Sequence, residues 1–497
     1  MGIDPGLRRL ALRTLLAAFT GTEPPAWALD LTAEGLAGFT LFGRNVAEPG
    51  QLARCTAALR AARPDVLIAI DEEGGDVTRL AHAVGSPYPG NAALGAVDDV
   101  AVTERVYRAI GTELAGLGVS VDFAPTVDVN TADDNPIIGT RSFGADPARV
   151  AAHAAAAVAG LQSTGVVACA KHFPGHGATV ADSHHELPTV DVPAEVLRRR
   201  DLPPFAAVIG AGARAIMTAH IRVPALTGDL PATFSRAVLH DLLRTEYGFA
   251  GAVVTDALEM KGASVAAGGI APAAVRALAA GADLLCIGSD VDAELVARVA
   301  DEIAAAVRDG RLAEARLAEA VDRAAALAAW TGAAGAQPAP GLPRSVTRPA
   351  PEPVDDHLGY ATARRAVRVE GVLTGLEKPL VVQVGATSTM AEGRVPWGLG
   401  PHLPGAEVHL VAAADADPAA LRELAGDRPI VLVGRHLHRL TGARELVENL
   451  AATHPVTVVE MGWPSSWRPV GARAFITTYG ASFANGRAAA EALGLAG

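Results

Sequence analysis

A buried strand runs directly into a polar loop in the middle of this chain. The segment from Val166 to Pro188 reads VVACAKHFPGHGATVADSHHELP. Its first five residues form an apolar run that is typical of a fully buried strand. One lysine and four histidines follow, and two prolines and two glycines exclude a regular helix in this part. Core packing gives no reason for such a loop, so the sequence indicates a loop that transfers protons.

The same unit recurs between Gly38 and about Gly288: a short apolar run, polar residues, and an Ala/Leu-rich segment with helical spacing. Strands that alternate with helices imply right-handed βαβ units and a parallel sheet. Seven runs predict an α/β fold of the (β/α)8 (TIM) barrel type, with one strand not located, and an open doubly wound sheet is the alternative. The seven runs are 38–42, 66–70, 119–123, 166–170, 215–219, 252–255 and 283–287.

Polar residues at the ends of these runs favour the barrel over the open sheet. A barrel gathers the carboxyl ends of all its strands around one mouth, whereas an open sheet spreads them along an edge. The side chains expected to converge at this mouth are Asp71, Asp122, Lys171, His172, His220 and Asp256.

Three regions are predicted along the chain. Residues 1–334 form the catalytic barrel, residues 335–354 form a linker rich in Pro, Gly and Ala, and residues 355–497 form a smaller doubly wound α/β domain. Five further apolar runs define the last domain: 380–384, 408–412, 430–433, 456–459 and 475–478. Because every candidate catalytic residue precedes the linker, we expect this domain to be dispensable for bond cleavage.

Composition excludes several classes of protein. The net charge of −12 argues against a nucleic-acid or anionic-membrane partner. Three scattered cysteines fit neither a disulfide framework nor a zinc site. No apolar run approaches the roughly 20 residues of a membrane span, and residues 1–20 lack a signal-peptide pattern. We expect a cytoplasmic protein without cofactor or metal, and the oligomeric state stays open.

An acidic motif and a segment with a single arginine point to chemistry. Asp71-Glu72-Glu73 follows a strand directly, and three crowded carboxylates repel one another unless a cation or ligand is present. The motif continues through two glycines to Arg79, and a later irregular segment, 135–144, contains Arg141. Their plain alternatives are a capped turn and an ordinary loop.

The other two motifs are an Asp–His pair and a single aspartate. Asp182 stands two residues before His184, so its carboxylate can fix the tautomer of that imidazole. A surface turn is the plain alternative. Asp256 directly follows a buried strand, and a buried carboxylate requires a compensating role.

Together these motifs resemble the family 3 glycoside hydrolases, in the β-N-acetylglucosaminidase branch. The resemblance rests on KHFPGHG at 171–177 with DSH at 182–184, on 71–79, on 135–143 and on TDALEM at 255–260. It covers about residues 5–330, and the C-terminal domain is similar to the second domain of larger members. One departure is Asp76, where many relatives carry Arg.

The resemblance implies a retaining enzyme that removes terminal β-linked N-acetylglucosamine from small glycosides such as cell-wall muropeptides or chitin fragments, as in peptidoglycan recycling. Asp256 would be the nucleophile of a glycosyl-aspartate intermediate. His184 would be the general acid and base, oriented by Asp182. The residues expected to hold the sugar are Asp71, Arg79, Arg141, Lys171 and His172.

Four alternatives stay open at this point. A phosphorylase would resolve the same intermediate with phosphate, and a β-glucosidase-type member would take a different sugar. A metal-dependent barrel hydrolase would use the histidines with Asp256 as ligands, although Gly and Pro make this loop a poor rigid ligand set. A sugar-binding protein without catalysis is the fourth, and it would need neither Asp256 nor His184.

Overall fold

The computed structural model describes residues 4–336, 356–386, 388–405 and 407–496. These residues form two compact units. The barrel unit lies within Met1–Glu72, Thr103–Val129 and Ala145–Glu352, and the second unit lies within Glu73–Val102, Asn130–Gly144 and Pro353–Gly497. Of the predicted linker 335–354, only residues 335 and 336 are described, at the end of a helix, and the rest lies outside the described residues.

The barrel unit contains eight parallel strands in the order β7-β6-β5-β4-β3-β2-β1-β8. A bridge between Val254 and Leu284 brings the two end strands together and nearly closes the sheet. The predicted (β/α)8-type barrel is therefore confirmed. The strands are β1 (Leu15–Ala17), β2 (Gly38–Leu41), β3 (Leu67–Ile70), β4 (Val121–Asp122), β5 (Val167–Phe173), β6 (Ala215–Thr218), β7 (Ala252–Thr255) and β8 (Leu285–Cys286).

The strand that sequence reasoning did not locate is β1. It has only three residues, and it pairs with β2 on one side and β8 on the other. So short an apolar run, close to the arginines of the N-terminal segment, has no periodicity that distinguishes a strand from a helix. Inward-facing residues such as Leu67, Phe123, Cys169, Met217 and Val254 form the buried apolar core below the barrel mouth.

Helices connect the strands, as the Ala/Leu-rich segments predict. Residues 237–246 form a helix of the wider π type. The α-helices up to residue 336, of which α4 belongs to the second unit, are α1 (Pro5–Leu12), α2 (Ala26–Glu34), α3 (Pro49–Ala62), α4 (Asn91–Val97), α5 (Val100–Gly116), α6 (Pro147–Gln162), α7 (Ala194–Arg200), α8 (Pro203–Gly210), α9 (Pro224–Thr227), α10 (Lys261–Ala267), α11 (Ile270–Ala280), α12 (Ala293–Arg308) and α13 (Glu314–Ala336).

The second unit contains a six-stranded sheet in the order β11-β10-β12-β13-β14-β9, parallel except for β9. The smaller doubly wound α/β architecture is therefore confirmed, with one addition. Strand β9 was not predicted because its four residues, Arg-Val-Glu-Gly, are all exposed and include no apolar run. The strands are β9 (Arg368–Gly371), β10 (Leu380–Val384), β11 (Val408–Val411), β12 (Ile430–Gly434), β13 (Val456–Glu460) and β14 (Ala474–Thr477), and the helices are α14 (Asp356–Ala366), α15 (Pro418–Ala425), α16 (Ala443–Ala451) and α17 (Phe483–Ala492).

The compact units differ from the predicted domain boundaries in two segments, 73–102 and 130–144. Both were assigned to the barrel from their position in the sequence, yet both group with residues after 353. Hydrogen bonds explain this: Arg439 donates to the Asn135 carbonyl at 2.9 Å, and Arg79 donates to the Ala391 carbonyl at 2.8 Å. The domain boundaries as sequence segments stay a prediction.

No single helix among the described residues is long and apolar enough to cross a membrane. Only α10 and α11 taken together, bent by 94°, have the length and composition.

Candidate active site

Lys171 and Asp71 form a buried ion pair at the mouth of the barrel unit. Lys171 lies within β5 and Asp71 directly follows β3, so neighbouring parts of the sheet present the two side chains. The Lys171 Nζ donates to Asp71 Oδ1 at 2.6 Å, and the lysine side chain is only 2% exposed. This contact supplies the cation that the crowded carboxylates of residues 71–73 require.

His172 is held in one tautomer by Asp128. Its Nδ1 lies 2.7 Å from Asp128 Oδ2, and the backbone N–H of His176 donates to the other oxygen at 2.7 Å. Burial alone would raise the pKa of Asp128, but the two imidazoles and these N–H donors lower it. An ionised Asp128 therefore accepts the Nδ1 proton of His172 and fixes the orientation of its ring.

Sequence reasoning missed Asp128. It lies six residues after Asp122, past the end of β4 and outside every apolar run, so strand periodicity did not single it out. The signal that could have found it is its place beyond a strand end in a barrel, where the mouth is built.

His176 organises the loop that leads to His184. Its Nδ1 lies 2.7 Å from Thr179 Oγ1, and its Nε2 lies 3.3 Å from Ser183 Oγ. Burial, reinforced by the charge of His172, lowers the pKa of His176 to about 4, so its ring is neutral at neutral pH. A neutral ring that bridges two hydroxyls fixes the loop and is not itself placed as a proton donor.

Asp182 and His184 form the pair that their spacing predicts. The His184 Nδ1 lies 2.7 Å from Asp182 Oδ1, and the same oxygen accepts the His184 backbone N–H at 2.9 Å. Burial opposes ionisation of Asp182, but these contacts with His184 hold its pKa below the usual value. Since Nδ1 faces a carboxylate, Nε2 is the nitrogen that can exchange a proton with a substrate.

Asp256 directly follows β7 and is partly exposed. Its Oδ1 accepts the backbone N–H of Ala257 at 2.8 Å. Burial alone would raise the pKa of this carboxyl. The imidazoles of His220, His172 and His184 outweigh burial, and the pKa falls to about 2. Asp256 is therefore ionised at neutral pH, which is the form a nucleophile requires.

His220 supports the strand end beside Asp256. Its Nε2 lies 3.1 Å from the carbonyl of Ala257, which can only accept, so this nitrogen carries the proton. Its Nδ1 then accepts from Thr233 Oγ1 at 2.8 Å. Burial lowers the pKa of His220, and the nearby Asp256 carboxylate opposes this effect.

The remaining two predicted residues, Arg79 and Arg141, lie in the second unit. Arg141 makes a buried bidentate pair with Glu73, with Nη2···Oε1 at 2.7 Å and Nε···Oε2 at 2.9 Å. Arg79 donates through Nη2 and Nη1 to the carbonyls of Ala391 and Glu392. Six of the eight predicted site residues thus lie in the barrel unit and two in the second unit, and the role of each stays a prediction.

The histidines do not form a metal-ligand set. Among the described residues, no three His, Cys, Asp or Glu side chains are arranged to hold a metal ion. His172, His176 and His220 each have a protein partner at 2.7 or 2.8 Å. These residues fit proton transfer and carbohydrate contacts better than metal coordination.

Comparison with known proteins extends this account. Residues 24–327 match the family model described as the glycosyl hydrolase family 3 N terminal domain. The chain is 40% identical over 270 residues to beta-hexosaminidase A of Pseudoalteromonas piscicida, which is 50% of this chain and 45% of that protein. The chain therefore spans less than half the length of that relative.

Two further relatives are matched over most of their length. Beta-hexosaminidase of Stenotrophomonas maltophilia (strain K279a) is 40% identical over 281 residues, which is 55% of this chain and 82% of that protein. The structure of a glycoside hydrolase family 3 beta-N-acetylglucosaminidase from Paenibacillus sp. str. FPU-7 superimposes with a TM-score of 0.89 at 34% identity, covering 99% of this chain and 97% of that one. The family identified from the sequence motifs is confirmed, and this chain belongs to glycosyl hydrolase family 3.

Proposed function

We propose that the chain is a retaining β-N-acetylglucosaminidase that hydrolyses terminal β-linked N-acetylglucosamine from small glycosides through a glycosyl-aspartate intermediate. The observation that carries this proposal is that one unit contains both Asp256, directly after β7, and a His184 whose Nδ1 lies 2.7 Å from the Asp182 carboxylate. A retaining glycosidase needs a nucleophile and a separate proton donor, and these two groups supply them.

The nucleophile is Asp256. Its carboxylate attacks the anomeric carbon, and the bond from that carbon to the leaving oxygen breaks. The N–H of Ala257 fixes one carboxylate oxygen at 2.8 Å, so the group is oriented before substrate arrives. A carboxylate that is already oriented lowers the entropic cost of reaching the transition state.

The proton donor is His184. In the first step, protonated Nε2 gives its proton to the leaving oxygen. In the second step, the neutral imidazole accepts a proton from water as that water attacks the anomeric carbon and releases Asp256. Asp182 stabilises the imidazolium and keeps the ring in one orientation, because its oxygen accepts from both Nδ1 and the backbone N–H of His184.

Sugar hydroxyls are bound by charged groups that are already fixed. The Lys171–Asp71 pair provides a donor from β5 and an acceptor directly after β3, and Asp128 orients the His172 ring by accepting from Nδ1. Arg79 and Arg141 complete the proposed set of sugar-binding residues. The cytoplasmic location and the cell-wall fragments as natural substrates also belong to this proposal.

The experiment compares hydrolysis of an aryl N-acetyl-β-glucosaminide with hydrolysis of the corresponding aryl β-glucoside, with proton NMR of the first-formed sugar. The proposal predicts turnover of the N-acetyl substrate, β-configured product, and no loss of activity in chelator. Turnover of the glucoside alone would assign the β-glucosidase alternative, and a glycosyl phosphate product in phosphate buffer would assign the phosphorylase. An α-configured product would contradict retention.

A further inference from the structure

Asp76 lies in a buried ionic network of the second unit that joins residues far apart in the sequence. Its Oδ2 accepts from Thr140 Oγ1 at 2.7 Å and from Arg435 Nη2 at 3.2 Å. Its Oδ1 accepts the backbone N–H of Ala481 at 2.7 Å. The Asp76 side chain is only 3% exposed, so these contacts replace the water it loses on burial.

Arg435 is the centre of this network. It directly follows β12, and it donates to both carboxylate oxygens of Glu392 in the loop after β10. Its guanidinium also stacks over the ring of Trp397, with 5.7 Å from the guanidinium carbon to the ring centroid. Its side chain is 6% exposed and that of Glu392 is 8% exposed. One arginine is thus shared by two buried carboxylates.

The network lies at the carboxyl ends of strands β10 and β12. Strand β10 has the later strand β11 on one side and β12 on the other, so the direction of chain order reverses between β10 and β12. In doubly wound sheets, ligands bind in the crevice at the carboxyl ends of the strands at such a point. Here a pocket at this point is lined by Glu392, Trp397 and Arg435 together with Gly75 and Asp76. The Asp76 carboxylate therefore lies at the place where doubly wound sheets bind ligands.

The segments held by this network are those that carry the two arginines of the proposed site. Thr140 immediately precedes Arg141, and Arg141 pairs with Glu73 at the start of the other segment. Arg79 lies at the end of that segment and donates to the Ala391 carbonyl at 2.8 Å. A displacement of either segment would therefore move an arginine that is proposed to bind the sugar.

A tight, closely packed turn lies between these anchors: the Gly75 N–H donates to the Tyr88 carbonyl at 3.2 Å, and Gly74 forms a bridge with Val77. Gly74 and Gly75 have φ values of 72° and 65°, and a Cβ at Gly75 would lie 2.5 Å from the Gly90 Cα. Two consecutive residues with positive φ form a sharp turn, and glycine has the lowest barrier to other conformations. The side chain that follows the turn is Asp76, and its ion pair with Arg435 anchors the chain at this point.

We propose that Arg435 is a positioning residue, which acts through Asp76 and Thr140 to hold the segments 73–79 and 137–141 in the conformation that presents Arg79 and Arg141. The inference rests on the proposed function, because only that function gives the two arginines a sugar to bind. It also gives Asp76 a role, because this carboxylate is the contact of Arg435 in the segment 73–79.

The test uses the full chain and three variants, Arg435→Gln, Asp76→Asn and Thr140→Val. Hydrogen–deuterium exchange is measured on peptides from segments 73–79 and 137–144. The inference predicts faster exchange in both segments for Arg435→Gln and Asp76→Asn. Thr140→Val removes only one hydroxyl and should increase exchange in the same segments by a smaller amount. This variant keeps the test usable if Arg435→Gln or Asp76→Asn does not fold.

The matched control is Arg244→Gln in the barrel unit. Arg244 also pairs with a buried carboxylate, that of Asp283, and the two side chains are 8% and 0% exposed. This pair lies at the amino end of the barrel strands, since the Asp283 carboxylate accepts the Val253 N–H at the start of β7. The control should destabilise the chain without changing exchange in segments 73–79 and 137–144.

Kinetics connect the network with the site. For Arg435→Gln, KM on an aryl N-acetyl-β-glucosaminide should rise on the order of tenfold while kcat changes by less than about threefold, because binding is lost and the bond-breaking groups are kept. Arg435→Lys keeps the charge and should recover part of this loss. A fall in kcat equal to that of the Arg244→Gln control, with KM unchanged, would indicate general destabilisation and overturn the inference.

The exchange measurements and the kinetic measurements together distinguish failure of this inference from failure of the proposed function. One outcome is that the wild-type chain has no turnover while Arg435→Gln and Asp76→Asn show exchange changes confined to the two segments. This outcome would support the positioning role and refute the proposed function. Normal exchange in both Arg435→Gln and Asp76→Asn would overturn the positioning role even if the wild type is active.

Discussion

Replacement of His184 by alanine tests the proton donor directly. Its imidazole is 23% exposed and its partner Asp182 is 17% exposed, so the pair is accessible to substrate but shielded from bulk water. General acid catalysis from such a position is worth about 10² to 10⁴ in rate. We take about 10³, or roughly 4 kcal/mol of transition-state stabilisation, as the loss expected for a β-linked disaccharide.

The loss should depend on the leaving group. A dinitrophenolate leaves without a proton, so the first step of His184→Ala on a dinitrophenyl N-acetyl-β-glucosaminide should be slowed by less than about tenfold. The assay is kcat/KM for both substrates, since this ratio reports the steps up to the first irreversible bond cleavage. Azide, which needs no general base, should then accelerate turnover of the dinitrophenyl substrate by attacking the intermediate.

The matched control is His185→Ala. His185 is the next residue in the same loop and is exposed, so its removal perturbs the loop to a similar extent without touching the proposed donor. Both substrates should keep nearly normal kcat/KM in this variant. An equal loss on both substrates in His184→Ala, or an equal loss in the two variants, would refute the assignment of His184 as the acid.

Three further predictions concern groups around the same site. Asp128→Asn weakens the charged hydrogen bond to His172, and such bonds contribute about 1.5–3 kcal/mol. The variant should therefore lower kcat/KM on the aryl substrate by about tenfold to a hundredfold. An unchanged kcat/KM would show that His172 does not need to be oriented by Asp128. The pKa of Asp256 is lowered to about 2, so the nucleophile is ionised above that pH and protonates only below it. The His184→Ala variant loses one of the three imidazoles that lower this pKa but keeps His220 and His172 beside Asp256. Its kcat/KM on the dinitrophenyl substrate should therefore still stay level as the pH falls from about 7 to about 5, and a decline in that range would assign the nucleophile to a weaker acid. A chain that ends at Thr331 keeps Asp256 and His184, so bond cleavage should persist if circular dichroism shows it folded. It lacks the partners of Arg79 and Asn135 after residue 353, so its KM should rise on the order of tenfold, and a normal KM would show that these contacts do not affect substrate binding.

The barrel could be predicted from sequence because its strands are buried on both faces. Apolar runs such as 166–170 and 252–255 are visible without any alignment, and the polar residue after each run marks the mouth. Asp256 and Lys171 were found in this way. The loop pair of Asp182 and His184 was found because a carboxylate two residues from an imidazole is a local signal.

The rest depends on contacts that local sequence does not contain. Strand β1 is too short for periodicity, and β9 is recognised only by its pairing with β14. Asp128 acts on His172 from a neighbouring loop, 44 residues away. Arg435, which donates to the Asp76 carboxylate, is 359 residues away in the sequence. The sequence alone therefore could not identify the partner of Asp76. The grouping of segments 73–102 and 130–144 with residues after 353 was not predicted for the same reason, and the dispensability of the C-terminal region for bond cleavage stays a prediction.

The central claim is that Asp256 forms a covalent bond with the sugar, and trapping that bond tests it most directly. A 5-fluoro N-acetylglucosaminyl fluoride slows both steps because fluorine destabilises their oxocarbenium-like transition states, while its good leaving group preserves the first. Mass spectrometry of the intact protein should show one added sugar, and peptide mapping should place it on Asp256. A label on Asp71 or Asp122, or no label together with inverted product, would contradict the account.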